Sequence, residues 1–184
     1  MLYAFAASTG FRARECAAVR RSDIDEGFRF VNLSGMFTKN RKKAMIPIPT
    51  ALGQALVVYA AKLSGDEFLF PGGWEKQGEE WVNAGWIKDH RASDFLRFDA
   101  AGTGIVIGRK GKAANGGKVL DFHSFRHTYI SNLERAGVSD GMKEKLSRAT
   151  AGVLERYTHH DLDRFSEASD RMEVPNVLMF AKSK

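Results

Sequence analysis

The segment ERYTHHDL, Glu155 to Leu162, sets a tyrosine between an arginine, a threonine and two histidines, just ahead of an acidic, helix-like tail. A phenol in that setting can pack or can attack, and the rest of the chain decides which. Phosphodiester transfer without a metal needs a nucleophile and cations on the non-bridging oxygens. It also needs an acid for the leaving oxygen and a base or donor near the nucleophile. The chain holds residues of each type. HSFRH puts His123 and Arg126 three positions apart at the start of a predicted helix, so both lie on one face and can meet one phosphate. Arg12 opens another predicted helix just after Thr9-Gly10, three residues before Glu15. Arginine suits the cation role because its planar fork donates two parallel hydrogen bonds to phosphate. Lys39 stands in a basic connection between two predicted strands, and Tyr157 supplies the phenol.

These residues need elements to position them. Leu2 to Ser8 reads as the end of a helix broken by Thr9-Gly10, and Arg12 to Arg20 as a second helix with Cys16, Ala17 and Val19 inward. Ser22 to Gly27 is a predicted turn. Phe28 to Leu33 and Ala44 to Ile48 read as strands of a small antiparallel sheet. Thr50 is the expected cap of a helix through about Leu63, with Leu52, Ala55, Leu56 and Tyr59 apolar at helical spacing. Phe68 to Pro71 is a short extended piece, and Gly72 to Gly85 has no assigned element. Asp89 to Phe98 reads as a helix, and Gly104 to Leu120 as a hairpin or flexible insert with a basic tip. Helices follow over Ser124 to Ala136, ended by Gly137, over Asp140 to about Arg148, and over Asp161 to Met172 before Pro175. No internal repeat and no linker separates two cores.

The 184 residues suffice for one domain with a sizeable core, and 43% hydrophobic with 27% charged is an ordinary globular mix. No apolar run approaches the roughly 18 residues of a membrane span. The apolar start lacks a basic n-region, so no signal peptide is expected. One cysteine, Cys16, precludes an internal disulfide and suits a reducing cytoplasm. The net charge is +6, and basic residues gather in three segments. These are Arg12, Arg14, Arg20 and Arg21; then Lys39, Arg41, Lys42 and Lys43; then Arg109, Lys110, Lys112 and Lys118. Folded together, three such segments fit a polyanion better than three separate solvated patches do. Neither a metal nor a cofactor is expected. His123 and His127 have the spacing of a zinc pair, but Ser124 stands where H-E-x-x-H needs Glu. Gly102, Gly104 and Gly108 do not fit a nucleotide loop. His127 reads as structural, and His159-His160 as a solvated helix start.

TGFRARE (Thr9 to Glu15), TKNRKKAMIPIP (Thr38 to Pro49), LFP (Leu69 to Pro71), DFHSFRHT (Asp121 to Thr128) and ERYTH (Glu155 to His159) occur in that order. The set resembles the tyrosine recombinases of the phage-integrase type, across nearly the whole chain. Each piece alone is weak; five in order at suitable separations are specific. The resemblance implies an α+β, mostly α-helical catalytic domain of the DNA breaking-rejoining kind, with a small antiparallel sheet, over residues 1–184. It implies site-specific recombination or integration through a 3′-phosphotyrosyl intermediate, without metal or ATP. Residue by residue, Arg12 and Arg126 match the arginines that clamp the scissile phosphate, and Lys39 the acid for the leaving 5′-oxygen. His123 matches the histidine that assists at the nucleophile, Glu15 an orienting carboxylate, and Tyr157 the nucleophile. Arg41, Lys42, Lys43, Arg109, Lys110 and Lys112 are the expected DNA contacts. Type IB topoisomerases share the chemistry, but the wording of the motifs is of the integrase kind.

The chain departs from the family at one position. A second histidine, in a Gly-His pair before the tyrosine, is missing from KLSRATAGVLERY. Without a gap, Ser147-Arg148 falls there; with a loop one residue shorter, Ala149 does. Arg148 can donate to a phosphate oxygen and Ala149 cannot, and an unreplaced donor costs about 2–4 kcal/mol of transition-state stabilisation. The alternative reading is therefore a DNA-binding relative or fragment that cuts weakly. Residue 1 lies only eight positions before Thr9, so a catalytic fragment without the family's N-terminal DNA clamp is expected. The expected partners are double-stranded DNA and, on DNA, further copies in a tetramer, with a free monomer and no membrane. The expected location is cytoplasmic, in a bacterium or mobile element and with the nucleoid. Residues 161–184 are expected to dock on a neighbouring subunit or on their own domain through Leu162, Phe165 and Ala168 or Ser169.

Overall fold

The computed structural model describes residues 1–34, 44–70, 72, 74–77, 80–83, 92–108, 120–148 and 159–175. Helices α1 (Leu2–Thr9) and α2 (Ala13–Ala18) lead through a 3-10 turn at Arg21–Asp23 to strands β1 (Phe30–Leu33) and β2 (Ala44–Pro47). Helix α3 (Thr50–Tyr59), strands β3 (Trp74–Gln77) and β4 (Glu80–Asn83) and helix α4 (Ala92–Gly102) follow. Helices α5 (Ser124–Arg135), α6 (Asp140–Arg148) and α7 (His159–Asp170) close the order. The mostly helical α+β reading holds, with β1 and β2 antiparallel and Val31 opposite Ile46.

The apolar residues sort into two clusters. The first joins Phe5 and Cys16 of the N-terminal helices, with Phe11 between them and Val19 after them, to Val31 and Ile46 of the sheet and to Leu52, Ala55 and Leu56 of α3. The second is built by α5, α6 and α7 from Tyr129, Leu133, Val138, Leu146, Phe165, Ala168 and Met172. Helix α5 stops where Gly137 turns left-handed at φ +69. The Val138 N–H then bonds the Leu133 carbonyl, the Gly137 N–H bonds the Glu134 carbonyl, and Val138 is buried. This is a Schellman ending with its apolar contact.

Several boundaries differ from the sequence reading. Helix α2 stops at Ala18 because Val19 turns extended and its carbonyl accepts the Leu69 N–H at 2.8 Å. β1 starts at Phe30 because Phe28 lies in a turn at φ +54. The Asp25 carboxylate closes that turn by accepting the N–H groups of Gly27, Arg29 and Phe30. Thr50 does not cap α3 with its own side chain; Pro49 precedes the helix, and the Thr50 N–H is bonded by Asp170 from α7. Part of the unassigned Gly72–Gly85 stretch is the antiparallel pair β3–β4, in register Glu75 to Val82. Helix α4 continues to Gly102, past the expected end at Phe98. The basic tip expected at 109–118 lies outside the described residues. Among the described residues no helix is long and apolar enough to cross a membrane.

The two clusters meet where α1 ends. Gly10 sits at φ +69, and a Cβ there would stand 2.4 Å from Cδ1 of Tyr129. Gly10→Ala therefore forces a left-handed alanine into an aromatic ring. It is expected to destabilise the protein by about 2–4 kcal/mol. Urea unfolding reads this as a lower midpoint at unchanged slope; a midpoint equal to the parent's would show that the corner relaxes freely.

Candidate active site

Thr9 to Arg12 make the corner between α1 and α2. The Thr9 hydroxyl donates to the Phe5 carbonyl at 2.7 Å, and Phe11 packs edge-on against Phe5 at 5.4 Å. The buried ring of Phe11 pins the corner, and the side chain of Arg12 stays 45% exposed. Glu15, one helical turn on and buried, folds back over it. Its Oε2 accepts the Arg12 backbone N–H at 2.6 Å, and its Oε1 accepts Nη1 of Arg12 at 2.9 Å. The carboxylate thus starts α2 and orients the guanidinium at once, with its charge at a helix N-terminus.

Arg126 arrives from α5, 116 positions after Gly10. Its Nη1 donates to the Gly10 carbonyl at 2.8 Å, and its Nη2 donates to the Ser147 carbonyl near the end of α6. Burial first, and the Arg12 charge second, pull its pKa below the ordinary value, while the Glu15 charge supports it. Arginine stays charged regardless, with five donors, so three remain after the two carbonyls. Two cations and one carboxylate stand together with a net charge of about +1, the complement of one phosphodiester.

His123 is exposed at the N-terminal end of α5, its carbonyl accepting the Arg126 N–H at 3.0 Å. Asp121 and Ser124 brace this turn by exchanging backbone and side-chain bonds. The His123 ring meets that of His127 edge-on at 5.1 Å, and His127 is itself exposed. Arg148 closes α6, next to the Ser147 carbonyl that Arg126 holds, and its side chain lies outside what is described. Lys39, Arg41, Lys42, Lys43, Arg109, Lys110, Lys112, Ala149 and Tyr157 all lie outside the described residues. The structure therefore brings Arg12, Glu15 and Arg126 together, with His123 on the same helix turn as Arg126. Among the described residues no group of three His, Cys, Asp or Glu could hold a metal ion.

Sequence reasoning missed the backbone partners of Arg126, because carbonyls leave no mark in a motif. It also missed Tyr129, which lies three residues past Arg126 and touches Gly10. Besides Arg12, two more residues of the first basic segment have structural partners: Arg20 lies over the Phe68 ring at 4.3 Å and Arg21 over Phe28 at 4.5 Å.

Comparison with known families matches the phage integrase family over residues 1–164. No curated protein matches the chain. Among solved structures, the integrase from mycobacterium phage Brujita is similar in fold, with a TM-score of 0.63 at 18% identity. The alignment covers 100% of this chain and 56% of that one.

Cys16, beside Glu15, is fully buried, and burial with the Glu15 charge pushes its thiol well above the ordinary 9.0. A thiol held neutral in this way is no nucleophile. The native protein at pH 8 should resist a maleimide that labels the urea-unfolded chain at once; rapid native labelling would show that α2 opens. The sign for stability follows, because the unfolded thiol ionises more readily. Its contribution is full below pH 9.0 and falls as pH rises beyond that value.

Proposed function

The chain belongs to the phage integrase family, and from that premise we propose that it cuts and rejoins DNA strands at specific sites, with Tyr157 as nucleophile. The observation that carries this reading is the meeting of Arg12, Glu15 and Arg126, from segments more than a hundred residues apart, in a site of net positive charge. Three of the four tyrosines are packing residues: Tyr3 stacks on Phe125, Tyr59 meets Phe70, and Tyr129 is fully buried against Gly10. Burial raises the pKa of Tyr3, Tyr59 and Tyr129, and the Tyr3 hydroxyl also donates to Asp99. Tyr157 is the fourth.

In this mechanism Arg12 and the free donors of Arg126 bind the non-bridging oxygens of the scissile phosphate. The charge that develops there meets preorganised cations in a partly dry site. The Tyr157 oxygen attacks phosphorus, its proton passing to His123 or to water that His123 orients. The bond from phosphorus to the 5′-oxygen breaks, and Lys39 delivers a proton to that oxygen. The product is a 3′-phosphotyrosyl link and a free 5′-hydroxyl. A 5′-hydroxyl of a second strand then attacks the link and expels the phenol. One ester replaces another at each step, so no ATP is needed. Where the family has its second histidine, Arg148 rather than Ala149 could donate to a phosphate oxygen, and it follows Ser147, whose carbonyl Arg126 holds. Arg41, Lys42, Lys43, Arg109, Lys110 and Lys112 grip the duplex backbone, and four copies assemble on the recombining sites.

A suicide substrate, nicked so that the freed piece diffuses away, tests the nucleophile. The parent should form a covalent adduct, and Tyr157→Phe should form none while binding DNA within a few-fold. An adduct with the Phe variant would mean that another residue attacks. Binding without adduct by the parent would favour a DNA-holding module instead.

The acid has a separate test. Lys39→Ala should cleave an ordinary strand slower by a hundredfold or more and recover in part when sulfur replaces the leaving oxygen, since sulfur leaves without a proton. Equal defects on both substrates would remove Lys39 from that role.

A further inference from the structure

The start of α5 carries a pair of side chains that the mechanism above uses only in part. His123 directly precedes the helix and His127 follows one turn later, so the two sit one above the other on one face. The His127 N–H donates to the His123 carbonyl at 3.4 Å. Both side chains are exposed, and their rings stand 5.1 Å apart between centroids at an angle of 89°. Among the described residues no hydrogen bond or ion pair engages either ring. Each imidazole therefore offers a nitrogen lone pair to whatever reaches this face.

The separation points to a particular use. A zinc ion lies about 2.0–2.1 Å from a ligating imidazole nitrogen, and the ring centre lies roughly 1.1 Å behind that nitrogen. Each centre is then about 3.2 Å from a shared ion, which puts two centres about 5.2 Å apart at a tetrahedral angle and about 4.5 Å apart at a right angle. The observed 5.1 Å fits the tetrahedral case. Tetrahedral nitrogen coordination is the habit of Zn²⁺. Square-planar Cu²⁺ asks for right angles, and Mg²⁺ asks for right angles and for oxygen. Because the rings are exposed, each can turn about its own Cβ–Cγ bond to aim a nitrogen at the common point.

We propose that His123 and His127 bind one zinc ion, and that the bound ion takes His123 out of the DNA-cutting reaction. The first half stands on the pair alone; the second rests on the role given to His123 above. The ion accepts one lone pair from each ring and keeps water in its other positions. A ring nitrogen that holds zinc can neither take a proton nor orient a water. Ser124 stands where the hydrolytic zinc motif has its glutamate, so the site holds the ion without a base to activate water. Two protein ligands, where structural zinc has four, make the site weak and readily exchanged. The positive end of α5 opposes a cation here, and the Asp121 carboxylate, which accepts the Ser124 N–H in the same turn, offsets it. Arg126 turns two donors to the carbonyls of Gly10 and Ser147. Cys16, the one thiol of the chain, is fully buried and gives no rival ligand.

The test titrates the full chain, freed of metal with EDTA and dialysed, with Zn²⁺ in a calorimeter without DNA. One saturable site is expected. His123→Gln and His127→Gln should each weaken it at least tenfold and keep the parent's thermal midpoint within a few degrees. His160→Gln should bind like the parent. If a glutamine variant unfolds, the imidazole proton signals of His123 and His127 in the parent decide, since both should move with zinc. Absence of saturable binding, undiminished binding in either glutamine variant, unmoved imidazole signals, or a loss in His160→Gln would each overturn the site. On the nicked substrate, saturating zinc should slow adduct formation by the parent at least tenfold, EDTA should restore it, and Mg²⁺ should have no effect. His127→Gln should cleave near the parental rate and keep that rate in zinc. A parent that binds zinc through both histidines yet cleaves at full rate overturns the silencing. A parent that makes no adduct even without zinc sinks the functional reading instead, and the titration alone then decides the zinc site.

Discussion

Everything in the described structure turns on the contact between Gly10 and α5. The backbone of Gly10 lies so close to the Tyr129 ring that no side chain fits between them. That approach joins the cluster around the sheet to the cluster of the last three helices. It also presents the Gly10 carbonyl to Arg126, whose other arm holds Ser147 on α6. The guanidinium that meets phosphate in the proposed reaction is thus a structural tie among three elements. A group whose place is set by packing and by carbonyls on two sides cannot wander, and preorganisation of that kind makes a charge effective in a transition state.

The electrostatics of the site work against the free protein. Arg12 depresses the pKa of Arg126, and burial does so more strongly, so the pair sits at some cost in the absence of an anion. Glu15 offsets part of this but is already engaged twice by Arg12. A phosphodiester placed between the arginines relieves the repulsion and uses the donors of Arg126 that the carbonyls leave free. On the proposed function, binding and stability would be linked: an anion held here would stabilise the corner of α1 and α2 together with α5.

The legible features were those written in local chemistry. Glu15 follows Arg12 by three residues, and the pair forms as that spacing suggests. Gly137 ends α5 with the bonds its position calls for. What the sequence hid was decided by distant residues. Thr50 reads as a helix cap, yet the oxygen that serves its N–H belongs to Asp170, 120 positions away. Helix α2 is shorter than its composition suggests because Leu69 claims the Val19 carbonyl. The pair β3–β4 carried a faint signal, two four-residue runs flanking Gly78-Glu79, lost among neighbouring glycines. Tyr157, Lys39 and the second and third basic segments, being outside the described residues, are known through their motifs alone.

Helix α7 shows how far local pattern and tertiary demand can diverge. Its apolar stripe, Leu162, Phe165 and Ala168, is too narrow for a helix of this length to persist alone. In the structure the buried face is wider and partly polar, since Ser166 and Ser169 are buried with Phe165 and Ala168. Small side chains at 166, 168 and 169 let the helix come close to β2 and to its own domain's second cluster. Close approach limits the apolar area that can be buried, so directional bonds must supply what area does not. They do so at the C-terminal end, through Asp170 on Thr50 and Arg29, and just past it, where Asn132 donates to the Glu173 carbonyl at 3.2 Å. These bonds act together with the burial of Phe165, Ala168 and Met172 to fix how α7 lies on the domain.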